Sequence, residues 1–378
     1  MGFLSVKRVV AVLLVLWVGT LCYIWLPGFI PDFLHVRSLS KSEETDLKVK
    51  EGALRDGLGG TNESAMKLGK NSGVNQFDDA VHVVIASDSN TIGGMIALIN
   101  SILSNTKAKV MFHLITDSET SYHLGMWLMK TKLSVINYEV KIFPKSLVEG
   151  KIKVRGGRPE LANPVNYARY YLPELFPNIL GRIVYIDDDC IVQGDIQELY
   201  QMKIKPGNLA AFSEDCLGMN RRITFMQNVY SDYFDLKNKH FKELNINPSA
   251  CSFNTGVFVT DLADWRSHNV THKLEYWLEL NTREELYGNE RGGGGSQPPM
   301  MIVFYNKYTP IEPLWHVKYL GWSPRTSYKY QFIRSAKLLH WNGRFKPWGR
   351  TAAFQELWDF YYIPDPTDKF RIIRKGIL

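Results

Sequence analysis

The sequence predicts an α/β fold with a mainly parallel sheet, and three observations lead to that prediction. From residue 81 onward, short and nearly continuous apolar runs alternate with segments of helical pattern. Acidic and polar residues directly follow two of the apolar runs, at 87–90 and at 187–189. The chain has 378 residues, of which 45% are hydrophobic and 13% aromatic, so a large buried core is possible.

The predicted elements follow one another along the chain in the order expected for strand-helix-strand units. The first strand is 81–86, which is apolar at nearly every position and is therefore expected to be buried on both faces. The remaining predicted elements are helix 93–104, strand 110–116, helix 118–130, strands 135–143, 182–187, 209–213 and 256–260, and a long helix over about 262–280. The segment 291–296 is predicted to be a flexible loop, because it lacks the Gly-Lys-Ser/Thr of a phosphate-binding loop.

The net charge of +7 is located entirely in the second part of the chain. Residues 1–80 are balanced, whereas residues 81–378 carry 36 Lys or Arg against 29 Asp or Glu. Such a surplus suits phosphates or an anionic glycan such as a glycosaminoglycan, although an ordinary solvated basic surface explains it equally well. No run of alternating basic and aromatic residues suggests nucleic-acid binding, so we expect no nucleic-acid partner.

An apolar segment near the N-terminus predicts a membrane anchor. Val9–Ile30 contains no Asp, Glu, Lys, Arg or His, and Lys7 and Arg8 precede it. A helix of that length spans a hydrocarbon core of roughly 30 Å, whereas the apolar region of a secretory signal peptide, the alternative, is about 7–15 residues long. We predict a cytoplasmic tail at 1–8, a signal-anchor at 9–30, a stem at 31–79 and a lumenal domain at 80–378.

Two further features agree with a lumenal location. Asn62 and Asn269 each begin an Asn-x-Ser/Thr sequence, which is the acceptor pattern for N-glycosylation. With Cys22 in the predicted anchor, three cysteines remain in the lumenal part, so at most one internal bridge is possible. We predict Cys216–Cys251, because Cys190 lies inside the acidic motif described next.

The acidic motif is Asp187-Asp188-Asp189, which interrupts an otherwise apolar strand. Residues two apart on a strand face the same side, so Asp187 and Asp189 are predicted to point together and Asp188 away from them. Two convergent carboxylates at a strand end suit Mg²⁺ or Mn²⁺. An acidic turn after a strand is the alternative, and this motif alone does not decide between them.

Two other motifs add ligands of complementary chemistry. In the segment 340–348, His340 is a candidate metal ligand, Gly343 allows close approach of the backbone to a phosphate, and Lys346 supplies a positive charge. At the end of the first strand, Asp88 and Asn90 are candidates for hydrogen bonds to a nucleoside. In isolation, each motif has a purely structural alternative: a histidine that packs on tryptophan, or a polar helix cap.

Together these motifs resemble glycosyltransferase family 8, and within it the Golgi-anchored glycosyltransferase 8 domain-containing proteins, over about residues 81–365. The resemblance implies a GT-A fold with a Rossmann-like mixed sheet and a catalytic domain at 80–378. It also implies a UDP-sugar donor, Mn²⁺ or Mg²⁺ as the metal, and transfer with retention of anomeric configuration. The expected acceptor is a glycan or glycoprotein, the expected location is the Golgi membrane, and a homodimer remains open.

The resemblance assigns roles to residues of this sequence by position. Asp187, Asp189 and His340 match the metal ligands, and Gly343 and Lys346 match contacts to the diphosphate. Ala86, Asp88 and Asn90 match positions beside the uridine, and Asn254 lies in the turn that lines the sugar. Arg169 matches an arginine near the donor, and Asp188 is counted among the donor-site positions. Asp187, Asp189, Arg169 and Gln297 are the expected catalytic residues.

One segment departs from the family pattern. Where the bacterial and glycogenin-type enzymes carry Asp-Gln-Asp, this chain has Ser296-Gln297-Pro298, closer to the plant galacturonosyltransferase-like branch. No carboxylate stands out as a nucleophile, which favours attack from the front side of the sugar. A catalytically silent, membrane-tethered binding protein on the same fold remains an alternative. A two-metal phosphoesterase is disfavoured, because the sequence lacks a second cluster of carboxylates and histidines.

Overall fold

A computed structural model describes residues 79–154, 158–216, 228–287, 295–325 and 328–374. The strands in these ranges are β1 Val81–Ala86, β2 Val110–Thr116, β3 Asn137–Ile142, β4 Arg182–Ile186, β5 Cys190–Val192, β6 Ala210–Glu214, β7 Phe253–Asp261, β8 Tyr308–Pro310 and β9 Leu338–His340. The α-helices are α1 Ile92–Asn105, α2 Ser118–Met129, α3 Leu172–Leu175, α4 Ile196–Tyr200, α5 Tyr230–Tyr233, α6 Lys239–Lys242, α7 Leu262–Ser267, α8 Val270–Glu284, α9 Gln297–Val303, α10 Tyr330–Ser335 and α11 Gln355–Asp359. Short 3₁₀ helices lie at Lys132–Val135, Lys145–Leu147, Pro159–Ala162, Pro164–Tyr170 and Pro313–Trp315.

Seven of the described strands form one mixed sheet in the order β3-β2-β1-β4-β7-β6-β8. β1 pairs in parallel with β2 and β4, and β2 with β3, as the alternation of strands and helices predicted. β7 is antiparallel to both of its neighbours, β4 and β6. The prediction of an α/β domain is therefore confirmed, and the sheet is mixed because β7 runs against the parallel strands.

The central strands are buried on both faces, which explains their nearly continuous apolar sequence. Val83 and Ile85 of β1 pack with α1 and α2, whereas Val84 between them packs into the cluster that α8 and α9 cover. β4 alternates in the same way, with Ile186 on the first face and Tyr185 on the second. Each strand therefore contributes to two apolar layers, and the sheet is held between helices.

The structure corrects several predicted boundaries. The long helix predicted over 262–280 is two helices, α7 and α8, which meet at Asn269 with a φ angle of 50°. Asparagine adopts this left-handed conformation more readily than most residues, so the chain can turn there. The strand predicted over 135–143 begins only at Asn137, after a 3₁₀ turn. The predicted strands 182–187, 209–213 and 256–260 are Arg182–Ile186, Ala210–Glu214 and Phe253–Asp261.

The structure joins Cys216 and Cys251 by a disulfide bond, the pairing that the sequence favoured, with their Cα atoms 5.5 Å apart. Cys190 is buried and free. No helix among the described residues is long and apolar enough to cross a membrane. The predicted anchor at 9–30, the stem and Asn62 lie outside those residues, as do positions 291–294 of the predicted loop. Gly295 has a φ angle of 79°, and Gln297 already begins α9.

Candidate active site

A cavity of about 610 Å³ opens where the carboxyl ends of β1 and β4 meet the amino end of β7. Ligands of open α/β sheets bind at this kind of edge. The cavity is lined by residues from each predicted motif: Ala86, Asp88, Asn90, Arg169, Asp187, Asp188, Asp189, Asn254, Gln297, His340, Gly343 and Lys346. The fold thus places segments that are up to 260 residues apart in sequence, from Ala86 to Lys346, around one site.

The three aspartates lie in a turn between β4 and β5, so the strand alternation expected for them is wrong. The backbone N–H of Asp187 donates to Gly256 O at 2.7 Å, after which the chain leaves the sheet. The Asp187 side chain is 25% exposed in the cavity, whereas that of Asp189 is 8% exposed. Asp188 is also buried. The positions of these carboxylates are therefore set by the turn and its partners rather than by strand geometry.

His340 is brought to Asp189 by a second, two-stranded sheet. β5 pairs with β9 so that Cys190 is opposite His340, and Trp341 N donates to Asp189 O at 2.9 Å. His340 Nε2 then lies 2.8 Å from Asp189 Oδ1. Among the described residues no donor is aligned to hydrogen-bond that buried oxygen, His340 Nε2 included. An unsatisfied carboxylate oxygen beside an imidazole nitrogen is the arrangement expected of two ligands of one cation.

Gly256 keeps the space between the candidate ligands open. A Cβ atom at this position would lie 2.5 Å from Asp187 Oδ2, 2.5 Å from His340 Cε1 and 3.0 Å from Asn254 Oδ1. The pairing of β6 with β7 shifts register between Phe212 and Ser213, which creates a bulge at this part of β7. The bulge turns Asn254 and Gly256 toward the aspartates, and only glycine fits there without a clash.

The compact ligand group in the described residues consists of Asp189, Cys190 and His340, whose ligand atoms lie within 4.8 Å of one another. Asp187 is outside this group. Its Oδ1 accepts a hydrogen bond from Arg169 at 2.8 Å, and its Oδ2 borders the space at Gly256 that His340 also borders. Burial, together with the neighbouring aspartate charges, raises the pKa of Cys190 well above its ordinary value, so its thiol stays protonated. Carboxylate and imidazole are therefore the ligands on offer, and they suit Mn²⁺ or Mg²⁺ better than a thiol does.

Lys346 is bound to the same carboxylate as His340. Its ammonium group donates to Asp189 Oδ2 and, at 3.1 Å, to Trp341 O. Burial by itself would raise the pKa of Asp189, but the charges of His340 and Lys346 outweigh it and hold the pKa well below its ordinary value. Asp189 is therefore ionised, whereas burial and the charge of Asp189 raise the pKa of Asp188 well above its ordinary value.

Arg169 holds Asp187 and the bulged part of β7 in position. The guanidinium is buried, donates to Asp187 Oδ1 and to Thr255 O at 2.9 Å, and lies 4.7 Å from the centre of the Tyr185 ring. Because Arg169 is tied to Asp187 and to the bulged strand at once, it fixes their relative position. A solvated helix residue would make no such contacts.

The polar ends of the cavity are also fixed by hydrogen bonds. Asp88 accepts from the backbone N–H of Asn90 at 2.7 Å and from Asn163 Nδ2 at 2.5 Å. At the other end, Gln297 donates to Tyr233 Oη at 3.1 Å and accepts from Asn254 Nδ2 at 3.3 Å. The Ser296-Gln297-Pro298 segment that departs from the family pattern therefore does place Gln297 in the cavity beside Asn254.

The cavity is acidic, in contrast to the chain as a whole. Among the described residues that line it, seven are carboxylates and three are Arg or Lys. A diphosphate would be repelled by this charge unless a cation entered with it. The donor set and the charge both fit a divalent cation held by Asp187, Asp189 and His340, with Lys346 next to it.

Comparison with known proteins decides the family. The model of glycosyl transferase family 8 matches residues 82–352, which is most of the chain. The chain belongs to this family. Glycosyltransferase 8 domain-containing protein 1 of Homo sapiens is 39% identical over 384 residues, covering 98% of both chains. Glycosyltransferase 8 domain-containing protein 2 of Homo sapiens is 41% identical over 302 residues, covering 79% of this chain and 86% of that protein.

Solved glycosyltransferases share the fold of this family 8 chain. The galactosyltransferase LgtC in complex with donor and acceptor sugar analogs has a TM-score of 0.55 at 16% identity, with 77% of this chain and all of that one covered. The bifunctional glycosyltransferase WbbM has a TM-score of 0.55 at 21% identity, with 79% of this chain and 52% of that one covered. The fold is therefore GT-A-like, and the protein is a glycosyltransferase.

Several side chains of this family 8 site were not singled out from the sequence. They are Asn163, which binds Asp88; His316, whose Nε2 lies 2.7 Å from His340 Nδ1; Asp215 and Lys318, a buried ion pair at 2.7 Å; and the exposed Trp322. None lies in a motif with a recognisable spacing. The sole local signal is the Asn163-Pro164 start of a 3₁₀ helix, which resembles an ordinary helix cap.

Proposed function

We propose that this protein is a retaining, Mn²⁺-dependent glycosyltransferase that moves a hexose or related sugar from a UDP-sugar to a glycan or glycoprotein. The observation that carries the proposal is the arrangement of Asp187, Asp189 and His340 around the space kept open by Gly256, with Lys346 bound to the same carboxylate. A divalent cation bound there supplies the positive charge that a departing nucleoside diphosphate requires.

The roles of the chain's own residues follow from their positions. Asp88 and Asn90 bind the nucleoside beside Ala86, and Gly343 lets the backbone approach the diphosphate, to which Lys346 donates. Asn254 and Gln297 hydrogen-bond to the sugar from the opposite wall. Arg169 acts on Asp187 rather than on the donor, because its N–H groups are already bound to Asp187, Thr255 and Asn166.

Front-side attack is the retaining route we propose. The carboxylates nearest to the candidate metal site already have partners, Asp187 Oδ1 with Arg169 and Asp189 Oδ2 with Lys346, and we assign their other oxygens to the cation, so neither carboxylate serves as the nucleophile. In a front-side reaction the acceptor oxygen bonds to the anomeric carbon on the face that UDP leaves, and the departing phosphate oxygen takes the acceptor's proton.

We also propose a single-pass, type II location in the Golgi membrane, with the predicted tail at 1–8, anchor at 9–30, stem at 31–79 and lumenal catalytic domain at 80–378. Asn269 is exposed at the start of α8, which is compatible with a glycan there. The location is tested by digestion with peptide N-glycosidase. Asn62→Gln and Asn269→Gln should each remove one step of the mobility shift, and an undigested full-length chain contradicts the lumenal assignment.

The activity is tested by release of UDP from a panel of UDP-sugars by the purified full-length chain in detergent with Mn²⁺. The panel contains glucose, galactose, xylose, glucuronate, galacturonate and the two N-acetylhexosamines, each with and without a mixture of methyl glycosides as acceptors. The Asp187→Ala/Asp189→Ala variant is the test. Asp235→Ala/Asp264→Ala, which changes two exposed aspartates outside the cavity, is the matched control.

Release from one donor that is lost in the test variant and kept in the control identifies the donor. Release that survives in the test variant contradicts the site. UDP binding without turnover on any donor would instead support a silent binding protein.

A further inference from the structure

Trp322 lies exposed on the wall of the cavity. Its side chain is 61% exposed. Of the large apolar side chains that are exposed in the described ranges, Trp322 alone lines the cavity. An indole left in water forgoes the hydrophobic stabilisation that burial would give it. Single exposed aromatic residues are common on protein surfaces, so the position of Trp322 has to be argued from its surroundings.

The backbone holds Trp322 at a fixed place relative to the segment that carries His340 and Lys346. Gly321 pairs with Gly343, and Phe345 N donates to Gly321 O at 2.8 Å. The two chains are so close that a Cβ atom on Gly321 would lie 2.4 Å from Trp341 O, and one on Gly343 would lie 2.4 Å from Gly321 O. The backbone of Trp322 is therefore held beside the segment that carries the proposed diphosphate contacts.

Tyr319, which packs against the indole of Trp322, has an unusual backbone conformation. The Tyr319 ring meets Trp322 edge to face, with 5.7 Å between the ring centres, and Tyr319 has a φ angle of 71°. Non-glycine residues in this region carry backbone strain, and such residues cluster at ligand sites. The Tyr319 hydroxyl donates to Asp215 Oδ1 at 3.3 Å, which anchors the ring from the other end.

The cavity wall that contains Trp322 also contains Asn228, Asp232 and Asn342. Two of them contact Tyr319, the residue beside the indole: Asn228 Nδ2 donates to Tyr319 Oη at 3.3 Å, and Asn342 Oδ1 accepts from Tyr319 N. A saccharide has one face of C–H groups and a rim of hydroxyl groups, so it matches an aromatic face flanked by carboxylates and amides. Without Asp188, whose pKa is raised, and with Lys318 counted beside its partner Asp215, six carboxylates still face four basic groups in the cavity lining. This excess disfavours an anionic saccharide, despite the basic surplus of the whole chain.

We propose that Trp322 is the stacking platform of an acceptor subsite for a neutral saccharide. This inference rests on the proposed glycosyltransferase function and adds the class of the acceptor to it. The C–H face of the acceptor sugar lies on the indole, and its hydroxyl groups bond to the neighbouring amides and carboxylates. The acceptor is thereby presented to the donor beside Gly343 and Lys346.

The test is saturation-transfer difference NMR on the full-length chain in detergent with UDP and Mg²⁺, which avoids the line broadening caused by Mn²⁺. The probes are methyl β-glucoside, methyl β-galactoside and methyl β-xyloside, with methyl β-glucuronide as the anionic probe. Trp322→Ala removes the platform, Trp322→Phe keeps an aromatic face, and Phe360→Ala is the control at a 78% exposed aromatic residue outside the cavity.

We expect binding of at least one neutral glycoside to the unsubstituted chain, to Trp322→Phe and to Phe360→Ala, and binding about ten-fold weaker to Trp322→Ala, a loss of about 1.4 kcal/mol. UDP affinity, measured on the same samples, should change less than about two-fold. Unchanged glycoside binding by Trp322→Ala, preference for the glucuronide, or binding of no glycoside overturns the inference.

A large loss of UDP affinity in Trp322→Ala would assign the indole to the nucleobase and also overturn the inference. Absence of UDP binding by the unsubstituted chain would instead overturn the proposed function. The two failures are therefore distinguishable.

Discussion

Asp187 and His340 face each other across Gly256. The side-chain oxygen Oδ2 of Asp187 and the ring carbon Cε1 of His340 would each lie 2.5 Å from a Cβ atom at that glycine. One residue without a side chain therefore sets the width of the candidate metal site. This relationship joins three strands, because Asp187 follows β4, His340 ends β9 and Gly256 lies in β7.

Gly256→Ala should remove metal-dependent UDP binding, since the added methyl group occupies the space between the candidate ligands. We expect at least a ten-fold loss of Mn²⁺-dependent UDP affinity by calorimetry, equivalent to about 1.4 kcal/mol. Gly125→Ala is the matched control, because a Cβ atom there has no neighbour within 4 Å and α2 gains about 0.5–1 kcal/mol of stability. Equal UDP affinity in the two variants would contradict the role of Gly256.

His316 should act as a positioning residue for His340. Its Nε2 lies 2.7 Å from His340 Nδ1, and the two rings stack with their centres 5.0 Å apart. If His340 coordinates a metal through Nε2, its proton is on Nδ1, and that N–H donates a hydrogen bond to His316. Burial and the neighbouring His340 lower the pKa of His316 well below its ordinary value, so a neutral ring is available as the acceptor.

His316→Ala should therefore lower Mn²⁺ affinity by about 10–100-fold, as measured by electron paramagnetic resonance of free Mn²⁺ without any substrate. His316→Gln, whose amide oxygen can accept the same proton, should recover part of that loss. His268→Ala, at an exposed histidine, is the control. If alanine and glutamine at 316 bind Mn²⁺ as tightly as the unsubstituted chain, His316 has no positioning role.

Arg169→Met should destabilise the domain, because it leaves the carboxylate of Asp187 without its buried partner. Breaking a buried, hydrogen-bonded ion pair costs about 3–5 kcal/mol, and we expect the lower end because Asp187 is 25% exposed. The free energy of unfolding in urea measures this loss. Arg371→Met, at an arginine that is 73% exposed, should change stability by less than about 0.5 kcal/mol. A loss below about 1 kcal/mol at Arg169 would show that the pair does not support the site.

Asp365 attaches the C-terminal segment to α2, and its contribution to the free energy of unfolding depends on pH. Asp365 binds His123 at 2.7 Å. Burial by itself would raise the pKa of Asp365, but the N–H groups of Phe370 and Thr367 and the other donors outweigh it and lower the pKa. The stabilisation is therefore present above the pKa of about 4 that aspartate has in the unfolded chain, and it disappears as pH falls through the lower folded-state pKa.

Asp365→Asn tests this sign. The difference in free energy of unfolding between the unsubstituted chain and Asp365→Asn should be present at about pH 5 and should shrink below about pH 4. Asp368→Asn, at an exposed aspartate of the same segment, should show a smaller difference over the same range. A difference for Asp365→Asn that grows as pH falls would have the wrong sign for a lowered pKa.

The parts of the fold that could be predicted from the sequence are those with a local cause. β1 and α1 were predicted within one residue, because a strand buried on both faces has to be apolar throughout and the helix after it keeps its apolar period. The direction of β7 could not be predicted, since no local pattern distinguishes a parallel from an antiparallel strand when both faces are buried.

The candidate site shows the same division. The motifs around Asp187 and His340 have recognisable spacing, so they could be singled out from the sequence, and the structure brings their residues to one cavity. The turn that contains the aspartates was predicted to be part of a strand, because the apolar residues on both sides give no sign that β4 ends at Ile186. His316, Asp215 and Trp322 join the site through the pairing of distant segments, and that information is absent from their immediate neighbours.

The most direct test of the central claim is UDP affinity as a function of Mn²⁺ concentration, measured by calorimetry on the full-length chain and on Asp189→Ala and Asp189→Asn. Circular dichroism confirms that each variant is folded, and Asp264→Ala is the control at an exposed carboxylate. The account predicts that UDP binds the unsubstituted chain and the control far more tightly with Mn²⁺ than without it. It also predicts that this dependence is absent from both Asp189 variants. UDP binding with undiminished Mn²⁺ dependence in either Asp189 variant would show that the metal site has been assigned to the wrong residues.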